Sequence, residues 1–589
     1  MRMTRKNFVL LATGAPLATR LGAFEPQAQS AAVRVSPRLD ILVRNARIVD
    51  GTGAPSFLGD IAVRGDQIAA IGQLSDATAG RIIDAGGHVA TPGFIDPHTH
   101  EEILMLRDAG LECFVRQGVT TLVNGNCGHS PFPFPSMKIL EYWWREGLIS
   151  RKAYDELSKQ AKWDSLTGYA AQVQRVGGAS VNSALLLGYG GIRWIAMGGA
   201  YDRAPTSEEW KRLEMLVTQG LEQGAVGMST GLSYIPCRYA TTDELVRVAR
   251  ILARFNRTYA SHTRFGAPGD PTGGREAIAI GERSGCRVQI SHFAAASVEA
   301  LEMVRDARSR GIQVAGDIIP SSLSHRRRSD RMLEALYVFS PGMFDKSLDE
   351  LRAYIRTPEG RANAAKSVQF FNTPKEQMVV VHADTPKNLS LVGKSVAAIG
   401  REQGRDPVNV LADLVLDEQN PVVFTFDGDR RQINEPSAES LERRYGKGQF
   451  LQRGEWTKHP LFMPGSDTIT IDPVDRYGWY EQQRRGAFPA YFEQARTHEV
   501  PLESAVSKAT SLAASQFGLH DRGMLAVGRK ADIAVFNPSQ YKFPTPADSD
   551  PNVPGTVASG MQWVIVNGTI VLDNGKLTGS RPGRVLFAT

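Results

Sequence analysis

The stretch from Ala90 to Ser130, ATPGFIDPHTHEEILMLRDAGLECFVRQGVTTLVNGNCGHS, sets the strongest limit on the fold. An apolar run ends in Asp96-Pro97-His98-Thr99-His100. A helical pattern follows, carried by Glu101, Ile103, Leu104, Leu106, Leu111, Phe114 and Val115 and closed by Gly118. A second apolar run, Val119 to Val123, then ends in Asn124-Gly125-Asn126-Cys127-Gly128. Alternate residues of a strand share a face, so His98 and His100 are expected to point the same way. Strand, helix, strand, with metal-binding side chains at both strand exits, is the arrangement in which α/β barrels place their chemistry.

The same alternation runs on through the chain. Ala184 to Leu187 ends at Gly188-Tyr189-Gly190, and Ala225 to Ser229 leads into Thr230-Gly231-Leu232-Ser233-Tyr234. Thr258 to Ser261 delivers His262, Arg287 to Ser291 delivers His292, Ile312 to Ala315 leads to Asp317, and Leu461 to Ser466 delivers Asp467. Between them, Thr206 to Glu209 and Thr241 to Glu244 are capping boxes, in which a threonine side chain and a glutamate three residues on satisfy the open amides of a helix start. Counted together the runs predict a (β/α)8 TIM-like barrel, with candidate ligands leaving strands one, two, five, six and eight.

Short strands broken by glycines occupy Leu39 to Ala90, and similar runs, Ala531 to Phe536 and Trp563 to Asn567, lie at the other end. The expected division is residues 33–92 and 520–589 as the two parts of a small β-sandwich, with the catalytic barrel over 93–519. The strand count leaves an excess at about 325–420, read as an insertion in the barrel. Residues 1–32 read as an export signal: Arg2, Arg5 and Lys6, an apolar segment from Phe8 to Ala18, and small residues from Ala28 to Ala32. Thr4-Arg5-Lys6-Asn7-Phe8 is similar to a twin-arginine signal with lysine at the second position, which leaves the ordinary secretory route open as well, with the bacterial periplasm as destination.

PGFIDPHTH followed by GVTTLVNGNCG resembles the N-acyl-D-amino-acid deacylase (D-aminoacylase) branch of the amidohydrolase superfamily. ASHTR around His262, QISHF around His292 and PGSD around Asp467 match the same family. Zinc takes imidazole, thiolate and carboxylate, and a catalytic site keeps one position for water. Cys127, His262 and His292 make such a three-ligand set; His98, His100 and Asp467 could hold a second, weaker zinc beside it. The resemblance implies the tight zinc on the first set and Asp467 as general base and acid in hydrolysis of an amide by metal-activated water. No G-x-S-x-G serine carries the strand-turn-helix setting of a nucleophile elbow, which disfavours an acyl-enzyme route. The four cysteines, Cys113, Cys127, Cys237 and Cys286, are too scattered for a disulfide framework; Cys113 and Cys286 are expected to be buried packing residues.

Around the substrate the pattern departs from the family. The family lysine two residues after the second histidine is Ala294 here, its Asp-Tyr-Pro-Tyr run is Asp317-Ile318-Ile319-Pro320, and its His-Pro-Arg segment is replaced by Thr468 to Arg476. Candidate substrate contacts are Tyr234, Arg193, Arg264, Arg476, which alone could stand in for the lost arginine, and Tyr189, which replaces a family histidine. The reaction machinery is kept while the grip on a substrate carboxylate is altered, which points to a different N-acyl compound.

With 589 residues, 42% hydrophobic and 22% charged, the composition is that of a soluble globular chain of more than one domain. The net charge of +6 is spread, its densest run being Arg326-Arg327-Arg328, so a nucleic-acid partner is not expected. No apolar stretch is long enough to span a membrane. The resemblance implies a small-molecule N-acyl substrate as the partner. Two other classes are weighed against this one. A deaminase or cyclic-amide hydrolase could use the same scaffold, but the His-x-x-Glu acid of a deaminase is missing, since Thr263, Arg264 and Phe265 follow His262. A non-catalytic exported binding protein would have no need of all six ligands.

Overall fold

The computed structural model describes residues 38–588 except 108–109, 146–148, 150, 200–201, 234–235, 265–270, 294–297, 321–328, 331–347, 371–374, 381–382, 384, 418–423, 427–452, 470–478 and 543–557. The expected export signal lies outside the described residues, as do Tyr234, Ala294 and Arg476.

Eight strands run in parallel and in chain order around a barrel: β1 (Phe94–Asp96), β2 (Val119–Asn124), β3 (Asn182–Gly188), β4 (Gly227–Gly231), β5 (Thr258–His262), β6 (Arg287–Ile290), β7 (Val314–Ile318) and β8 (Phe462–Pro464). Near the carboxyl ends of β1 and β8, a two-residue parallel ladder pairs Thr99 with Thr468 and His100 with Ile469. Ile95, Val123, Ala184, Leu186, Ala260, Ala315 and Met463 fill the interior, one or two from most strands, together with Ala513 and Phe517 of the helix Ser511–Phe517. Such a filled interior leaves the carboxyl ends of the strands as the place for a site.

The capped helices form where the caps predict. Ser207–Glu222 opens on Thr206, whose side chain accepts from the Glu209 amide while the Glu209 carboxylate accepts from the Thr206 amide. Thr242–Arg254 opens on Thr241, which accepts from the Glu244 amide. The segment after His100 differs from expectation. It holds two single helical turns, Leu104–Arg107 and Glu112–Val115, separated by Leu111 at a φ of +48°. Ile103, Leu104, Met105, Leu106, Leu111, Phe114 and Val115 are all buried, while Arg107 and Glu112 are exposed. Cys286 is buried as expected, whereas Cys113 is only half-buried.

Strands from both chain ends join in one nine-stranded sheet. Ala90 pairs with Val535 in an antiparallel ladder, which puts the last strand before the barrel beside the first strand after it. Ile41, Val43, Ile48, Ile61 and Val63 from the first end share a core with Ile533, Val535 and Ile565 from the other. The described part of 348–417 has a separate core of Ile355, Ala364, Val380, Ile399, Leu411 and Val415.

A buried ion pair fastens this sheet to the barrel. Arg522 Nη1 donates to Asp532 Oδ2; the same carboxylate accepts from the Asn567 amide at 2.7 Å and from Asn182 Nδ2, at the foot of β3, at 3.3 Å. Their side chains are 3% and 4% exposed, and burial raises the Asp532 carboxyl despite the arginine. Breaking a buried pair strands the other charge. Arg522→Met is therefore expected to lower folding stability by about 3–5 kcal/mol in denaturant titration, with metal content per folded molecule unchanged.

Candidate metal centre

Five of the eight strand exits contribute ligands to the site. His98 and His100 follow β1, Cys127 follows β2, His262 ends β5, His292 lies two residues past β6 and Asp467 three past β8. Cys127 Sγ lies 3.4 Å from His98 Nε2, 3.7 Å from His262 Nδ1 and 3.8 Å from His292 Nε2. Asp467 Oδ1 lies 3.2 Å from His98 Nε2 and 3.3 Å from His100 Nε2. Two donor groups result, His98/His100/Cys127/Asp467 and Cys127/His262/His292, and within each the ligand atoms lie inside 4.8 Å of one another. The structure thus gathers all six candidates, and Cys127 belongs to both groups.

Burial opposes charge on every member, and on all of them but His262 the neighbouring opposite charges prevail. His98 and His100 hold the Cys127 thiol well below its ordinary range. Asp467 is also held well below the carboxylate range, by the charge of His98 and by hydrogen bonds from His100 and His98. Asp317, Asp467 and Cys127 push His98 well above the imidazole range, and Cys127 with Asp467 takes His100 up to about 9. His262 is lowered, first by burial and then by His292. Within the cluster the negative groups, Cys127 and Asp467, and the imidazoles of His98, His100 and His292 thus each favour the other's charge. A divalent cation would supply the same compensation and release protons from the imidazoles. The donor set fits one, since thiolate, imidazole and carboxylate together suit zinc. His100 Nδ1 is, moreover, a buried polar atom with no hydrogen-bond partner among the described residues.

Asp317 is a part of the site that the sequence did not single out. On β7 and fully buried, it accepts from His98 Nδ1 at 3.1 Å, from the His292 amide at 2.7 Å and, on its other oxygen, from Gln289 Nε2 at 2.8 Å. It fixes the His98 tautomer so that Nε2 faces Cys127 and Asp467, as outer partners of metal ligands do. Asp96 has a similar duty, accepting from the amides of His98 and Ser466 at 3.2 and 3.1 Å. A buried aspartate at a barrel strand's exit end was the available signal for both.

The candidate substrate contacts are placed differently. Tyr189 and Arg193 are fully buried and turned to Glu244: the Tyr189 hydroxyl donates to Oε1 at 2.7 Å and Arg193 Nε at 2.9 Å. Arg264 Nε donates to Glu276 at 2.9 Å, and Nη1 and Nη2 donate to the Arg238 and Ala240 carbonyls. These three side chains serve ion pairs within the barrel wall. The expected contacts of these residues with substrate thus stand beside engagements with Glu244 and Glu276. Glu244 and Glu276, which claim them, carry no mark in the sequence that would pair them with these residues.

Because its sulphur faces both groups, Cys127→Ala is expected to lower metal content after dialysis more than His98→Ala does. Equal retention in Cys127→Ala and wild type, by elemental analysis, would remove the thiolate from the centre.

The sequence profile of the Amidohydrolase family matches residues 81–329 and 379–565. The chain is 30% identical over 562 residues to the N-acyl-D-glutamate deacylase of Alcaligenes xylosoxydans xylosoxydans, covering 93% of this chain and 96% of that protein. With the D-aminoacylase of the same organism it shares 30% identity over 561 residues, 94% of this chain and 99% of that one. Among solved structures, the N-acyl-D-glutamate deacylase of Bordetella bronchiseptica, complexed with zinc and a phosphonate mimic of the tetrahedral intermediate, superposes with a TM-score of 0.69 at 28% identity, over 94% of this chain and 100% of that one. With its strand-exit ligands and these likenesses over nearly its whole length, the chain belongs to the amidohydrolase family, in the D-aminoacylase branch.

Proposed function

We propose that the protein is a zinc-dependent hydrolase of the amide bond in an N-acyl compound. The observation that carries this reading is Cys127 Sγ facing both a His262/His292 pair and a His98/His100/Asp467 set at one barrel mouth. In this reading Cys127, His262 and His292 hold the tight zinc, and a second, weaker ion lies toward His98 and His100. When bound, zinc lowers the pKa of water to about 7 and polarises a carbonyl oxygen.

The chain's own residues then move the proton. Asp467, kept ionised by His98 and His100, accepts the proton of the attacking water. It passes that proton to the leaving nitrogen, because an amine anion cannot leave unprotonated. Asp317 keeps His98 facing the centre while this occurs. Export through residues 1–32 belongs to the same proposal, on the basic residues before the apolar run. The amino terminus of the mature protein tests it.

The altered residues around the substrate support a narrower reading, in which the preferred substrate is not an N-acyl-D-amino acid. The cations Arg193 and Arg264 are engaged by Glu244 and Glu276, so neither supplies the lost grip on a carboxylate. Losing a charge-assisted hydrogen bond to a buried carboxylate costs about 1.5–3 kcal/mol, roughly ten- to a hundredfold. On a panel of N-acyl-D-, N-acyl-L- and carboxylate-free amides, N-acetyl-D-amino acids are expected to rank below another class. Their ranking first would overturn this narrower reading, and no turnover anywhere on the panel by the zinc-loaded protein would count against amide hydrolysis itself.

Asp467→Asn is expected to keep the fold and the metal on Cys127, His262 and His292, yet to lose about 10²–10⁴-fold in turnover, the worth of general acid–base catalysis. Zinc content, thermal midpoint and turnover measured on one preparation check it. An active but unstable variant would make Asp467 a structural residue.

A further inference from the structure

The loop that presents Cys127 is bent against its own preference. Gly125, Cys127 and Gly128 have φ of +82°, +51° and +85°, three left-handed residues among four. For the two glycines this is unstrained, but a cysteine reaches it only where its surroundings impose it. Gly125 also lies so close to β3 that a Cβ there would come within 2.4 Å of the Leu186 carbonyl oxygen.

One side chain spans the bend. Ser229, fully buried in the middle of β4, accepts from the Gly128 amide at 2.9 Å and donates to the Gly125 carbonyl at 2.5 Å. A hydroxyl has one proton to give and can accept as well. Here its donor and acceptor functions are both directed to the two flanks of Cys127. A second hydroxyl, on Ser130, ties the downstream part of the same loop: it accepts from the Gly188 amide at 2.9 Å and donates to the Phe132 carbonyl at 2.7 Å. Both serines are fully buried; Ser229 also reaches the Leu187 carbonyl at 3.4 Å, and only Ser229 straddles the cysteine.

We infer that Ser229 is a positioning residue for the metal centre, its hydroxyl acting as a brace that sets the direction of Cys127 Sγ toward His262 and His292. The inference rests on the reading of Cys127 as a metal ligand. Ser229 touches neither ligand atom nor substrate; it acts through the backbone on either side of the thiolate.

Cobalt(II) reconstitution tests the brace, because a thiolate on cobalt gives a charge-transfer absorption in the near ultraviolet that imidazole ligands do not. Wild type is expected to show this band, and Cys127→Ala to lack it. Ser229→Ala is expected to weaken or lose the band and to bind the ion about 10–100-fold less tightly, the usual effect of removing an outer partner of a ligand. Ser130→Ala, which deletes two buried hydroxyl bonds of the same loop without spanning the cysteine, is expected to keep the band at a comparable thermal midpoint, and Ser229→Thr, which keeps a hydroxyl, to restore it. A full band in Ser229→Ala would overturn the brace, and so would equal losses in Ser229→Ala and Ser130→Ala. Absence of the band in wild type would overturn both the brace and the reading of Cys127 on which it rests.

Discussion

The site depends on how one buried imidazole is shared. His98 gives Nδ1 to Asp317 on one side and presents Nε2 to Asp467 and Cys127 on the other. In the low dielectric of the barrel mouth an unpaired charge is costly, so these groups can lie there only as a mutually compensated set. That requirement links β1, β2, β7 and β8 electrostatically at the point where the barrel closes. It also explains why the Thr99–His100 and Thr468–Ile469 ladder lies beside the ligands: the backbone that closes the barrel is the backbone that places Asp467 against His98.

The barrel was legible because five of its strands run into a metal-binding residue that a strand interior would not carry. His98, His100, Cys127, His262, His292 and Asp467 all follow apolar runs, and helix caps at Thr206 and Thr241 separate the runs. Periodicity failed between Glu101 and Val115, where Leu111 in the left-handed region broke the expected helix into short turns. Asp317 was visible only as an aspartate near a strand end, with nothing to say that it would hold His98 rather than a substrate. Ser229 was one small residue in an apolar run.

The substrate side was the least legible part, for a physical reason. Arginine can meet a carboxylate of the protein or of a ligand with the same geometry. Which it meets depends on partners distant in the chain: Glu244 lies 51 residues from Arg193 and Glu276 12 from Arg264. Motif spacing carries no information about such pairs. A metal centre is different, because several ligand types must appear together at strand exits.

Three of the gathered ligands, Cys127, His292 and Asp467, have positive φ, at +51°, +33° and +51°. Non-glycine residues in that region cost about 1–3 kcal/mol each and persist only where the surroundings over-determine them. Two of them are restrained by a hydrogen bond reaching them from another strand's exit. The His292 amide donates to Asp317 of β7 at 2.7 Å, and the Asp467 amide donates to the His98 carbonyl past β1 at 2.8 Å. Cys127 is restrained through its glycine neighbours by Ser229 of β4. A hydrogen bond to a charged acceptor contributes about 1.5–3 kcal/mol net and a neutral one about 0.5–1.5, which is the scale of the strain it opposes. Part of the strain at the ligands is therefore met by hydrogen bonds of the barrel itself, which fix the ligand backbones from neighbouring strands.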